Sequence, residues 1–288
     1  MNAEARKKPN DFSGDKIRCG ICPQDCVLAE GQTGFCRARS NRGGVIKADN
    51  YGLVTSMALD PIEKKPLYRF HPGSMILSVG SFGCNLRCPF CQNYGISMCG
   101  SDYAKASYVS PDELVEHAEA LISKGNIGIA FTYNEPLIGY EYVRDCARLA
   151  KERGLKTVLV TNGYINERPL KELLPLIDAM NIDLKAFTEQ FYRSISGHIE
   201  PVKKAIEAAS KECHVEVTTL IIPGENDSRQ EMRSLSEWLA GIDKEIPLHI
   251  SRFFPRYRMQ KDATPVETVY SLKETARENL KYVYEGNC

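Results

Sequence analysis

The stretch "FGCNLRCPFCQN" at residues 82–93 places Cys84, Cys88 and Cys91 in the spacing C-x3-C-x2-C, directly after the short β-rich run "MILSVGS" at 75–81. Three thiolates are one short of the closed tetrahedral set of a structural zinc site. A [4Fe–4S] core takes thiolate ligands at its irons. Three cysteines on one loop therefore hold three corners and leave one iron for an outside ligand. A chelating amino acid, through its amino and carboxylate groups, fits that open position.

Outward from this loop, strand-like and helix-like segments alternate. "PDELVEHAEALISKG" (111–125) reads as a helix capped by Ser110, with Pro111 in its first turn and Gly125 at its end. "IGIAFTYN", "LKTVLVTNG", "DAMNIDLKA", "CHVEVTTLIIPG" and "PLHISRF" read as strands. "IGYEYVRDCARLAKERG", "PLKELLPLI", "PVKKAIEAASKE" and "DSRQEMRSLSEWLAG" read as helices between them. Alternation of this kind predicts βαβ units and a parallel sheet. Six units in roughly 180 residues fall short of the ~250 of a closed eight-stranded barrel. The predicted fold class is α/β, a partial, open (β/α)6 TIM-like barrel over 74–288, preceded by a cysteine-rich metal-binding extension over 1–73.

In such a fold the chemistry sits at the C-terminal ends of the strands. Those ends carry Cys84 to Cys91, Asn134 and Glu135, Thr161 and Asn162, Asp183 and Lys185, Pro223 and Gly224, and Arg252. His249 points inward by alternation along "PLHISRF", as a satisfied core histidine or as an adenosine contact.

The 288 residues carry 37 Lys+Arg against 37 Asp+Glu, a balance that disfavours a nucleic-acid-binding surface. No apolar run reaches membrane-spanning length and the N-terminus has no apolar signal core, so a soluble cytoplasmic protein is expected. Seven of the eleven cysteines fall in two groups, which in a reducing compartment read as metal ligands rather than disulfides. The first group, Cys19, Cys22, Cys26 and Cys36, has four thiolates among Gly, Pro and Arg. Zinc and a second Fe–S cluster both suit it, with free or redox cysteines as a third reading; a metal would order a segment that lacks its own core. Cys146 and Cys213 read as small core hydrophobes. Residues 1–16 are polar and expected to fray. Residues 44–73 predict a short hairpin and then an extended arm, whose "EKKP" (63–66) reads as a solvated charged patch, with a partner-docking segment as the other reading.

The C-x3-C-x2-C loop after a first barrel strand resembles the radical S-adenosylmethionine superfamily. The resemblance implies a [4Fe–4S] cluster on Cys84, Cys88 and Cys91, with S-adenosylmethionine bound at the open iron through its amino and carboxylate groups. It implies reductive cleavage to methionine and a 5′-deoxyadenosyl radical that abstracts hydrogen, with an electron donor such as flavodoxin or ferredoxin. "TYNEP" (132–136) stands where many members have Gly-Gly-Glu-Pro, so Glu135 matches the residue that binds the methionyl amino group. "TNG" (161–163), "DLK" (183–185) and "IIPGENDS" (221–228) resemble elements of the pyruvate formate-lyase activating enzymes, which implies Asp183 and Lys185 near the methionyl carboxylate and Pro223-Gly224 toward adenosine. Val160 stands where those activases carry a carboxylate for a monovalent cation.

Across the chain the likeness is to the radical enzymes of the so-called AmmeMemoRadiSam system. It is carried by "CGICPQDCVLAEGQTGFCRAR", "DPIEKKPLYRFHPGS", "FGCNLRCPFCQN", "LHISRFFPRYRM" and "LKYVYEGN". Phe254-Pro255 replaces a His-Pro frequent in that family. Competing expectations are a glycyl-radical-enzyme activase with a partner protein as substrate, a non-catalytic Fe–S electron carrier, and a zinc-knuckle nucleic-acid binder.

Overall fold

The computed structural model describes residues 16–288; the expected fraying of residues 1–15 lies outside the described residues. The six expected strands form as β2 (Met75–Gly80), β3 (Asn126–Phe131), β4 (Lys156–Thr161), β5 (Ala179–Asp183), β6 (His214–Ile221) and β7 (Leu248–Arg252). Each pairs in parallel with the next. The sheet gains one strand at each edge. Ser56–Pro61 (β1) pairs antiparallel with β2, and Val283–Gly286 (β8) pairs in parallel with β7. The eight strands run in the order β8-β7-β6-β5-β4-β3-β2-β1, so the sheet curves without closing.

Helices α1 (Pro111–Ala120), α2 (Tyr140–Glu152), α3 (Glu167–Leu173), α4 (Glu189–Ser194), α5 (Ile199–Ala209), α6 (Arg229–Asp243) and α7 (Val266–Arg277) follow the strands. Local chemistry sets their ends. At α1 the Ser110 hydroxyl accepts from Glu113 N at 3.3 Å while the Glu113 carboxylate accepts from Ser110 N at 2.7 Å, a reciprocal cap. Ser228 caps α6 and Thr188 caps α4 by the hydroxyl alone, accepting from Glu231 N and Phe191 N. Gly128 has a steric reason to be glycine: a Cβ there would lie 1.9 Å from the Lys156 carbonyl of β4.

Alternation along the strands divides the core. Met180, Ile182, Val215, Val217, Leu248 and Ile250 face the helices in one large buried cluster, with Cys146 fully buried and Cys213 packed at its margin. The opposite, inner face holds a smaller cluster of Ile76, Ala130, Val158 and Ala179, closed by Ile62 and Leu67 from the segment after β1. Among the described residues no helix is long and apolar enough to cross a membrane.

The N-terminal region departs from the expected arm in two ways. The hairpin begins earlier, pairing Arg39–Asn41 with Ile46–Ala48. The arm then enters the main sheet as β1, and the boundary placed at 73/74 falls in the connection of the β1–β2 pair. The solvated reading of "EKKP" fails at Lys65. Lys64 is exposed, but the Lys65 side chain is only 4% exposed, with Nζ 3.0 Å from Asp60 Oδ2. The Tyr133 hydroxyl donates to the same oxygen at 2.9 Å. Ile62 and Leu67 pull the segment onto the inner face, and Asp60 supplies the partner that makes a buried ammonium tolerable. The sequence displays the charge but not that partner.

Removing one member of a buried ion pair strands the other. Lys65→Ala is expected to cost about 3–5 kcal/mol of unfolding free energy, read from chemical denaturation, with the Asp60→Asn/Lys65→Met double variant recovering most of it. A loss below about 1 kcal/mol would place the pair in the range of solvated surface bridges.

Candidate functional site

The cysteine loop leaves β2 at Ser81 and is fixed from several sides. Asn134 accepts from Ser81 N at 2.9 Å and donates to the Phe82 and Gly83 carbonyls at 3.2 Å each. Asn93 donates to the Tyr133 carbonyl at 2.7 Å. Arg87 N donates to Ile195 O and Arg258 N to Pro89 O, both at 2.9 Å, which ties the loop to the α4–α5 connection and to the segment after β7. Gly83 sits at φ +87°, where a Cβ would lie 2.6 Å from the Cys36 carbonyl.

The three loop cysteines are free thiols. Cys88 is buried, and Cys84 and Cys91 are half-buried. Cys84 Sγ accepts from Leu86 N at 3.4 Å and from Asn162 Nδ2 at 3.7 Å. Burial, followed by the nearby charge of Glu135, pushes the Cys84 thiol well above its ordinary range. Burial pushes Cys88 up to about 12, with Lys185 opposing. Bound iron would hold all three as thiolates. Among the described residues no three His, Cys, Asp or Glu side chains close on a single metal ion. A four-iron core does not require them to, because each thiolate sits on its own iron. Three unpaired thiols on one rigid loop, with N–H groups aimed at sulfur, fit the implied cluster.

Glu135 follows the turn after β3 and is 3% exposed. Its carboxylate accepts from Leu137 N at 2.9 Å, Thr161 Oγ1 at 2.7 Å and Asn162 N at 2.8 Å. These partners are all neutral. Burial, augmented by the Asp183 charge, raises its pKa to about 7 despite the three donors. Such a group gains from a cation brought to it. Asn162 bridges Glu135 and the cysteine loop, since its Nδ2 also donates to Asn85 Oδ1 at 2.9 Å.

Asp183 ends β5 and pairs with Lys185 at 2.7 Å. Burial disfavours the Lys185 ammonium, but Asp183 and then the Cys88 and Cys91 thiols outweigh burial and raise its pKa. Its backbone N donates to the Tyr192 hydroxyl at 3.0 Å. Pro223 and Gly224 form the turn after β6, with Gly224 at φ +73° and the Pro223 carbonyl accepting from Lys261 Nζ at 3.0 Å. Arg252 ends β7 and donates to the Thr264 carbonyl at 2.6 Å.

The cysteine loop, Glu135, Thr161, Asn162, Asp183 and Lys185 thus gather at one end of the sheet. Asn134 is turned into the loop backbone. Arg252 is engaged by the segment after β7. His249 is not brought to the site: it is buried with Nε2 2.6 Å from Glu216 Oε2, under the Tyr68 ring. In the extension Cys19, Cys22 and Cys36 are buried and Cys26 is half-buried, all as free thiols.

Two framing residues escaped the sequence reading. Asn226 accepts from Ile222 N at 2.8 Å and donates to the Leu220 and Lys185 carbonyls at 2.9 Å each, joining the ends of β5 and β6. Asn85 donates to the Tyr164 carbonyl at 2.7 Å. Their signal is faint, an Asn beside a glycine turn or a cysteine, because an amide's value lies in partners distant in sequence.

Residues 78–235, more than half of the chain, match the family described as the Radical SAM superfamily. An uncharacterized protein of Methanocaldococcus jannaschii is 42% identical over 277 residues, covering 95% of this chain and 82% of that protein. The pyruvate formate-lyase 1-activating enzyme of Escherichia coli is 26% identical over 167 residues, covering 54% of this chain and 65% of that enzyme. A radical SAM methyltransferase from Sphaerobacter thermophilus shares the fold with a TM-score of 0.57 at 18% identity, over 75% of this chain and 67% of that one.

Asn226→Ala should leave buried backbone groups without partners, at about 1–3 kcal/mol each. The expected result is a lower denaturation midpoint at unchanged slope. An unchanged midpoint would show that water replaces the amide.

Proposed function

The chain belongs to the radical SAM superfamily, whose members use a [4Fe–4S] cluster and S-adenosylmethionine, and we propose that it is a radical enzyme of the AmmeMemoRadiSam type acting by hydrogen abstraction. The observation that carries the radical chemistry is the convergence of the cysteine loop, the buried Glu135 carboxylate and the Asp183–Lys185 pair at one end of the sheet; the AmmeMemoRadiSam type rests on the sequence likeness across residues 19–287. When bound, the cluster and S-adenosylmethionine supply an electron and a carbon-centred radical able to take hydrogen from a strong C–H bond.

The chain's own residues bind, orient and exclude water. Cys84, Cys88 and Cys91 ligate iron. Glu135 would accept from the methionyl amino group, whose N–H groups favour the ionised carboxylate that burial otherwise drives toward protonation. Lys185 faces the methionyl carboxylate while Asp183 holds its ammonium in place. Thr161 and Asn162 fix the rotamer of Glu135. The Pro223-Gly224 turn would serve the adenosine, as its likeness to the activating enzymes implies, with Arg252 a further candidate contact at the end of β7. A low-potential one-electron donor of the flavodoxin or ferredoxin kind supplies the reductant.

A second reading, activation of a glycyl-radical partner protein, draws on the match to the Escherichia coli activating enzyme. Anaerobic incubation with S-adenosylmethionine, reductant and a candidate glycyl-radical protein separates the two. A protein-centred radical on the partner, seen by electron paramagnetic resonance, favours activation. 5′-Deoxyadenosine formed without any partner radical favours the first reading.

Cys88→Ala is expected to remove most iron from the loop and to abolish 5′-deoxyadenosine formation; full cleavage in that variant would overturn the assignment. Only ionised Glu135 can accept at both carboxylate oxygens from the N–H groups of an amine that also gives its lone pair to iron. In cluster-loaded protein, S-adenosylmethionine affinity should therefore rise with pH toward a plateau above about 7 and fall by up to ~10-fold per pH unit below it. Glu135→Gln should bind more weakly by about 1.5–3 kcal/mol and lose that pH dependence. Calorimetric titration over pH 5–9 reads both, and an unaltered profile in Glu135→Gln would remove this carboxylate from the site.

A further inference from the structure

The extension and the cysteine loop are joined directly. Cys84 N donates to the Cys36 carbonyl at 3.2 Å, so one hydrogen bond links a backbone atom of each cysteine group. Gly83 lets the two strands of chain approach this closely: a Cβ there would strike both the Cys36 carbonyl and Ala38. Gln24, between Cys22 and Cys26, donates to the Asn85 carbonyl at 2.9 Å. The Asn85 side chain lies beside the Cys22 thiol. Its Oδ1 accepts from Asn162, whose same nitrogen donates to Cys84 Sγ. A continuous path, Cys22–Asn85–Asn162–Cys84, thus runs beside the Cys36–Cys84 contact. Asn166 adds hydrogen bonds to Ile21 and Gly20 at 2.9 Å.

The four thiols also lie within electrostatic reach of one another, Cys19 and Cys36 acting on Cys22, and Cys19 and Cys26 acting on Cys36. Cys19 N donates to the Cys26 carbonyl at 2.8 Å, and Phe35 N donates to Cys26 Sγ at 3.4 Å. None is in a disulfide. They do not close on a single-ion centre, and neither do Cys84, Cys88 and Cys91, whose motif serves a four-iron core. Arg39 is 3% exposed beside Cys19, and its Nε has no partner although its other nitrogens are held by Glu141 and Ile138. A buried, unpartnered guanidinium N–H next to a thiol suits a sulfur that carries negative charge. Cys26 is half-buried and Val27 is exposed, so the group reaches the surface.

We propose that Cys19, Cys22, Cys26 and Cys36 hold a second Fe–S cluster that relays single electrons to the cluster on Cys84, Cys88 and Cys91. The inference rests on the radical SAM reading and adds to it the entry point of its reductant. One electron leaves a reduced flavodoxin- or ferredoxin-type donor, which is oxidised by one electron, and reduces the second cluster. The same electron then passes to the radical cluster and returns the relay to its oxidised state. No bond or proton changes hands at the relay.

The test uses the full chain, reconstituted anaerobically with iron and sulfide, with iron, labile sulfide and zinc counted per chain. Wild type should hold ~8 iron, and the Cys84→Ala/Cys88→Ala/Cys91→Ala variant ~4, by the [4Fe–4S] stoichiometry. That triple variant should keep a reducible cluster signal in electron paramagnetic resonance. About one zinc and no iron in the triple variant would overturn the proposal. The radical SAM reading fails separately, if wild type loaded with both clusters forms no 5′-deoxyadenosine with dithionite. In the Cys19→Ala/Cys22→Ala/Cys26→Ala/Cys36→Ala variant, the ratio of donor-driven to dithionite-driven cleavage should fall by at least ~10-fold. An unchanged ratio would show that electrons bypass the extension. Should that variant fail to fold, the iron count of the triple variant still decides.

Discussion

A buried carboxylate with neutral partners organises one end of this protein. Glu135 is nearly inaccessible, yet it ties Leu137, Thr161 and Asn162 together across the ends of β3 and β4. Asn162 carries the tie onward to the Cys84 sulfur. A charge in this position would be expensive unless a cation arrives, and its raised pKa expresses that cost. The chain's own donors therefore fix the position of this carboxylate.

Around that group, backbone geometry is held mostly by amide side chains. Asn134 fixes the start of the cysteine loop, Asn93 its end, and Asn226 the turns after β5 and β6. An amide both donates and accepts, so one buried Asn can satisfy several loop carbonyls and N–H groups that no ladder reaches. This lets irregular loops at the strand ends hold fixed positions without regular structure. The inner face below carries different polar chemistry. The Asp60–Lys65–Tyr133 group and the Glu216–His249 pair are each internally satisfied.

Much of the candidate site was legible because its signals are local. Cysteine spacing, Gly224 in its turn and the Asp183–Lys185 alternation at a strand end all follow from neighbours within a few residues. His249 could not be resolved this way. Alternation correctly sends it inward, but its partner Glu216 lies on the adjacent strand, and nothing in either segment announces the pair. Lys65 misled for the same reason, since a charged run looks solvated until Ile62 and Leu67 are seen to bury it.

The sequence by itself determined the class of fold and the chemistry of the loop. Strand and helix periodicities are local, capping at Ser110 and Ser228 is local, and three thiols within eight residues leave little choice of ligand set. Tertiary structure decided what depends on pairing at a distance. β1 and β8 joined the sheet because an edge strand is fixed by the partner that accepts its hydrogen bonds, and the short run of β8 has no strong pattern of its own. The docking of the extension onto the cysteine loop is of the same kind. Cys36 meets Cys84 only because Gly83 lacks a side chain and the folded barrel presents that backbone N–H to a carbonyl from the extension.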